Sequence, residues 1–302
     1  VIKLYKSFEI INNFVREIWE FDLIEEPMNH KLTRIEELKN THRAIMNINH
    51  NLRKPFPDEF VKYVYPLLEI SVQWAELKKK GELTEGFLER CKQRVKTQSN
   101  FYGTIFEIDM ASRCLLSDWN VDFVEDYTKE GKQIDFLFHK ESKVAGVECL
   151  SKRYTKDSLT IDKINIDINK KAKKFKQEYI EKLKIPLNER LLIIDITTAG
   201  YSSPKILKEL EGTRSSSELG RSSELDAVIF TWREDIIDGK NHSLRVKYKI
   251  FGNIDMKYFS VTYASEFHVT NKGSVFFMRK YIEPEPTVEI GPVESVEHYG
   301  RR

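Results

Sequence analysis

The sequence predicts an α/β protein: a helical N-terminal region, then a core in the order αβββαβ with a mixed sheet and extra C-terminal strands. Three observations predict it. Up to about residue 117, apolar residues recur at three- and four-residue intervals, the helical period. From Asn120 to Ser151 the period drops to two in three short segments. RLLIIDITT at 190–198 is then almost continuously apolar, as a strand covered on both faces is.

The first helix is carried by FEIINNFVREIWEF, in which Phe8, Ile11, Phe14, Val15, Ile18 and Trp19 share a face. A second is expected over Leu32–Asn47. A third is expected from Pro57 to Lys80, with Phe60, Val64, Leu67, Leu68, Val72 and Ala75 as its stripe. Gly81 offers a stop, and Thr84 with Glu85 restarts a helix toward Lys96. No catalytic constellation stands in this region, which reads as packing or partner-binding surface. Residues 101–117, FYGTIFEIDMASRCLLS, form a further amphipathic helix.

NVDFVEDY (120–127), KQIDFLFH (132–139) and VAGVECLS (144–151) read as strands joined by TKEG and KES, short polar connections suited to hairpins. A long helix is predicted from Ile161 to Leu183, with Ile164, Ile168, Ala172, Phe175, Tyr179 and Leu183 on one face. It leads into the buried strand at 190–198, so three antiparallel strands cross over through a helix to a fourth. Beyond it, SPKILKELE suggests a short helix, and the Ser-rich stretch 212–224 suggests a flexible loop. LDAVIFTW (225–232) and the alternating LRVKYKI (244–250) are strands, and 258–264 and 274–281 add others. From Pro284 onward the chain reads as a loosely held tail. The expected organisation is a helical region at 1–98, an α/β domain at 99–283 and a tail at 284–302.

Composition narrows the function classes. In 302 residues, 40% are hydrophobic and 32% charged with both signs mixed, which excludes global disorder. A net charge of +2 says little about partners, so local clustering has to carry that argument. Three cysteines without ligand-like spacing argue against a disulfide framework or a zinc site. No apolar run reaches membrane-spanning length and the N-terminus lacks a signal-peptide pattern, so a cytoplasmic setting without membrane contact is expected. There is no GxxxxGK[ST] stretch, no HxxxH pair and no GxSxG elbow.

The candidate chemistry rests on carboxylates. Asp135 interrupts the apolar strand IDFLF, and Glu148 interrupts its neighbour VAGVECL. Same-face residues on paired strands come within about 5–8 Å, where two carboxylates repel unless a cation bridges them or one is protonated. Glu107 stands on the preceding helix. Hard oxygen ligands of this kind suit Mg²⁺ or Mn²⁺, and phosphodiester hydrolysis is chemistry that such ions assist.

The order helix-Glu, strand-Asp, strand-Glu resembles the PD-(D/E)xK (restriction-endonuclease-like) nuclease superfamily over about residues 100–200. GTIFEIDMASRCLLSDWNVDFVED, with Gly103 four residues before Glu107, is similar to the first helix of Holliday-junction resolvases in that group. The resemblance implies a restriction-endonuclease-like core, Glu107, Asp135 and Glu148 as metal ligands, and Mg²⁺-dependent cleavage of nucleic acid, DNA before RNA. Two positions depart from the pattern. Gln133–Ile134–Asp135 replaces the frequent Pro-Asp, and Leu150 stands where the family carries its lysine. Lys152, two residues further on the same face, is the expected substitute as third catalytic residue, ahead of Lys163 and Lys170.

Residues 151–184 hold eleven Lys or Arg against five Asp or Glu. Lys163, Lys170, Lys173 and Lys174 are the expected phosphate contacts. A protein partner or a second copy of the chain is expected at the N-terminal helices. Two other readings stay open: a catalytically inactive nucleic-acid-binding module on the same fold, and a helical protein-interaction subunit.

Overall fold

The computed structural model describes residues 2–24, 35–50, 63–80, 85–124, 133–151, 160–197, 224–238, 241–252, 254, 256–259, 262–269 and 275–282. It is an α/β fold with most helices toward the N-terminus. The chain forms two compact units. One comprises 1–116, 234–245 and 261–283; the other comprises 117–233, 246–260 and 284–302. Lys152, the Ser-rich loop up to residue 223, the short helix expected near 204 and the tail lie outside the described residues.

The helical unit contains α1 (Leu4–Trp19), α2 (Glu36–His50), α3 (Tyr65–Lys80), α4 (Glu85–Val95) and α5 (Gln98–Leu116). The stripe Phe8, Ile11, Phe14, Val15 and Ile18 of α1 is buried, as its spacing predicts. Phe14 meets Trp74 of α3 edge-on at 5.7 Å between ring centroids, and Trp74 lies 6.5 Å from Phe87 of α4. The fifth helix, α5, packs on α3 and α4 and buries almost its whole circumference from Phe106 to Leu115. That burial carries charge inward. Arg113 donates to Asp109 at 2.9 Å, one turn away, and Gln73 of α3 donates to the same carboxylate. Arg113 and Asp109 are each only 4% exposed, so each charge is balanced by the other inside the bundle. In the same unit β1 (Ile2–Lys3), β9 (Val275–Ile282), β8 (Thr262–Val269) and the first residues of β7 (Asn241–Gly252) pair in that order, all antiparallel.

The second unit is built on β2 (Asn120–Phe123), β3 (Phe136–Lys140), β4 (Lys143–Ser151), β5 (Glu189–Asp195) and the start of β6 (Ala227–Asp238). Their order across the sheet is β6-β5-β4-β3-β2. The strands β2, β3 and β4 form an antiparallel meander, and β5 and β6 run parallel to β4. Along the chain this gives the order α5, β2, β3, β4, helix, β5 that the change of period predicts. The sheet is mixed because a helix-containing crossover returns the chain to the same end, whereas the two-residue connection Glu141–Ser142 reverses β3 into β4.

The crossover departs from the prediction of one helix over Ile161–Leu183. It consists of α6 (Ile161–Ala172), a 3-10 turn at Lys173–Phe175, α7 (Gln177–Ile180) and a second 3-10 turn at Glu181–Leu183. Lys176 is extended, with φ −58° and ψ 142°, and the run ends at the left-handed Lys184. The physical reason is the loss of a buried face. Ile164, Ile168, Ala172 and Phe175 are buried, but Lys176, Gln177 and Glu178 are exposed and Tyr179 is only half-buried. Past Phe175 too little packing remains to hold a continuous helix.

Side chains on the α6 side of the sheet form one apolar cluster. It joins Leu137, Leu150, Leu192, Ile194, Val228 and Phe230 of the strands to Ile164, Ile168, Ala172 and Phe175. Gly146 permits the close approach of this layer. A Cβ there would come 2.6 Å from Leu187 Cδ1, 2.9 Å from Ile134 Cδ1 and 3.3 Å from Phe175 Cε1. With Phe175 seated over Gly146, the lysine just before it is brought down toward the sheet. Among the described residues, no helix is long and apolar enough to cross a membrane. Cys91, Cys114 and Cys149 are all buried thiols.

Candidate functional site

The site lies in the sheet unit, where β3, β4 and α6 meet. Asp135 directly precedes β3, and its N–H donates to Val147 O at 2.9 Å, extending the ladder by one residue. Since Phe136 pairs with Val147, Asp135 falls opposite Glu148. Residues opposite each other in an antiparallel pair share a face, with Cβ atoms about 4.5–5.5 Å apart. The two carboxylates therefore share the α6 side of the sheet. Asp135 is further fixed because its Oδ2 accepts the Cys149 N–H at 2.7 Å.

Glu148 is the unusual member. Its side chain has 0% exposure in the middle of a nine-residue strand. Two ammonium groups reach it from the crossover. Lys171 donates to Oε1, and Lys174 Nζ lies 2.7 Å from Oε1 and 2.8 Å from Oε2. Lys171 also lies 3.4 Å from the Cys149 carbonyl. Both lysines keep 24% of their side-chain surface exposed, so they stand at the water-facing border of a carboxylate that has none. Burial pushes the Glu148 carboxyl up from 4.5 to about 7, and neighbouring Asp135 adds to the rise; Lys171 and Lys174 oppose it without cancelling it. Two carboxylates and two ammonium groups thus face one another at an apolar border.

The resemblance implies Glu107 as a third ligand. Glu107 belongs to the helical unit, where it is buried on α5. There it accepts from Arg94 Nη1 at 2.8 Å, and Arg90 Nη2 lies 3.5 Å away, both from α4. The carboxylates gathered within the sheet unit itself are Asp135 and Glu148. Leu150 is 8% exposed in the apolar cluster, so the strand position at which the family carries its lysine faces hydrocarbon here.

Of the lysines expected to meet phosphate, Lys163, Lys170 and Lys173 are exposed, and Lys174 is engaged with Glu148. The sequence reading passed over Lys171. The available signal was its spacing: on a 100° helical wheel it borders the apolar stripe of Ile164, Ile168 and Phe175 rather than opposing it. A lysine at such a border can bury its stem and bring its ammonium to the sheet.

A second polar group lies on the opposite face, at the C-terminal ends of the parallel strands. Asp195 accepts from Ser151 Oγ at 3.0 Å and from Thr197 N at 2.9 Å. Burial raises its carboxyl above the ordinary value, against the lowering effects of Thr197, Arg233 and Ser151.

Asp135 and Glu148 offer hard oxygen donors on rigid neighbouring backbone, the donor chemistry that Mg²⁺ or Mn²⁺ takes. An oxygen that accepts one hydrogen bond retains a second lone pair, so the Cys149 N–H orients Asp135 without exhausting it. Compared with protein-family models, with curated proteins and with solved structures, the chain matches none.

Proposed function

We propose that the protein is a nuclease of the restriction-endonuclease-like kind, hydrolysing nucleic-acid phosphodiester bonds with a divalent cation at Asp135 and Glu148. One observation carries this reading. A buried glutamate and an aspartate stand opposite each other on adjacent strands, with two lysines of the following helix at the glutamate. A structural role alone is a poor account of it, because an apolar residue at position 148 would avoid the cost of burying charge.

A bound Mg²⁺ or Mn²⁺ would activate a water and neutralise charge on the phosphate. Asp135, oriented by the Cys149 N–H, and Glu148 would hold the cation at the border of the apolar cluster. Lys171 and Lys174 supply the positive charge that the family places two residues after its glutamate. That role was expected at Lys152, which lies outside the described residues, and Lys171 and Lys174 offer it from the crossover. Their ammonium groups would balance charge developing on the phosphate oxygens. Lys163, Lys170 and Lys173 offer an exposed basic surface for flanking phosphates.

The test is cleavage of supercoiled plasmid and of single-stranded DNA by the full chain, with Mg²⁺ or Mn²⁺ and with chelator. Metal-dependent cleavage that disappears in Asp135→Asn is the expected result. A second reading, a binding module without catalysis, is favoured by the burial of Leu150. DNA binding without cleavage, unchanged by Asp135→Asn, would establish that reading instead.

A further inference from the structure

Both oxygens of Glu148 already carry ammonium partners, and its side chain has no exposed surface. A cation that reaches this carboxylate competes with both of them for its oxygens. The two lysines are not equally held. Lys171 has a second acceptor in the Cys149 carbonyl, at 3.4 Å. Among the described residues, Lys174 Nζ has Glu148 as its one partner. Lys174 also lies one turn beyond Lys170, on the border where the exposed lysines begin.

We propose that Lys174 is a displaceable counter-ion: it neutralises Glu148 in the cation-free protein, is released when a divalent cation binds there, and then serves the substrate phosphate. This inference rests on the nuclease reading of the same site and adds its regulation. Charge bookkeeping favours it. Two carboxylates and two ammonium groups sum to zero, so the resting site attracts no surplus charge. When a divalent cation joins, the site carries two net positive charges, a match for the charge that accumulates on a phosphate under attack. Lys171, with its backbone acceptor, stays in place; Lys174, with none among the described residues, moves.

Competition for one carboxylate has a reciprocal signature. Removing the competitor must tighten cation binding while it removes a group needed in the transition state. In Lys174→Met the affinity for Mn²⁺ alone, measured by calorimetry or electron paramagnetic resonance on the full chain, is expected to rise about tenfold, within the roughly 5–150-fold range of such couplings. Cleavage at saturating Mn²⁺ is expected to fall roughly a hundredfold, the scale of losing one electrostatic stabiliser. Lys174→Arg, which keeps the charge and holds a carboxylate more firmly, is expected to bind Mn²⁺ no more tightly than the wild type.

A third measurement does not depend on the Met variant folding. After reductive ¹³C-methylation of the lysines, the Lys174 resonance, assigned by its absence in Lys174→Arg, is expected to move on titration with Mg²⁺. Unchanged or weaker Mn²⁺ binding in Lys174→Met, or a Lys174 resonance indifferent to Mg²⁺, overturns the counter-ion role and leaves the nuclease reading standing. Tighter binding without cleavage in the wild type supports the counter-ion role and overturns the catalytic reading. Absence of Mn²⁺ binding in both proteins overturns the two together.

Discussion

Burying Glu148 should cost the fold stability in a way that pH reveals. Its carboxyl is raised from 4.5 to about 7, chiefly by burial. The folded state therefore binds a proton that the unfolded state has lost across that interval. A raised folded pKa contributes stability that is fully present below the unfolded value and is lost as pH rises through the folded one. At 1.36 kcal/mol per pKa unit, the carboxylate form costs the fold about 3 kcal/mol above the interval. Between about pH 5 and about pH 8 the change is roughly 2–3 kcal/mol. Glu148→Gln removes the titration, and Lys171 and Lys174, each with 24% exposed surface, can turn to water. The quantity to measure is the stability difference between Glu148→Gln and wild type by urea unfolding at the two pH values. Any fixed cost of the amide cancels in that comparison, as do the other titrating groups. The difference should shift in favour of Glu148→Gln by roughly 2–3 kcal/mol on going from the lower pH to the higher. Saturating Mg²⁺ at the higher pH should then stabilise the wild type and leave Glu148→Gln unaffected. A difference that is flat with pH would refute the reasoning, because it would mean that Glu148 is ionised in the folded state without penalty.

Three further outcomes are expected. Leu150→Lys creates the Glu-x-Lys spacing of the nuclease superfamily that the sequence resembles, but places an ammonium among Ile164, Ile168, Leu192 and Ile194; thermal or urea unfolding should show a loss of about 3 kcal/mol or more, with no gain in cleavage. Arg113→Met leaves the buried Asp109 without its guanidinium partner, so the helical unit should lose about 3–5 kcal/mol, the usual result of removing one partner of a buried pair, measured by its unfolding transition. Neutralising Lys163, Lys170 and Lys173 together should weaken DNA binding uniformly across sequences and flatten its salt dependence, by up to about three in the slope of log affinity against log salt. An unchanged salt slope would remove this surface from the nucleic-acid contacts.

Much of the architecture was legible in the chain because hydrophobic period reports local geometry. The stripe of α1 and the meander β2–β4 follow from spacings of three, four and two residues, and the buried strand β5 from a nearly continuous apolar run. The break at Lys176 was not legible in that way. Lys176 through Glu178 are ordinary helix formers, yet the backbone becomes extended at Lys176 before helix resumes at Gln177. The same limit applied to the site. That Asp135 and Glu148 share a face follows from strand alternation and a short hairpin. That the adjoining positive charge comes from Lys171 and Lys174 does not, because both stand more than twenty residues from Glu148 and their distance depends on how the crossover lies on the sheet.

The sequence by itself determined which residues are apolar, at what period they recur, and hence which elements form and which carboxylates stand on neighbouring strands. Those are local properties, set by backbone geometry and side-chain alternation. Only the tertiary structure decided that Leu150 belongs to the core, that Glu148 has no exposed surface, and that Lys171 and Lys174 meet it. Burial and charge pairing are properties of surfaces brought together from distant parts of the chain. The free energy that sets the carboxyl of Glu148 therefore depends on its neighbours in space, not on its neighbours in sequence.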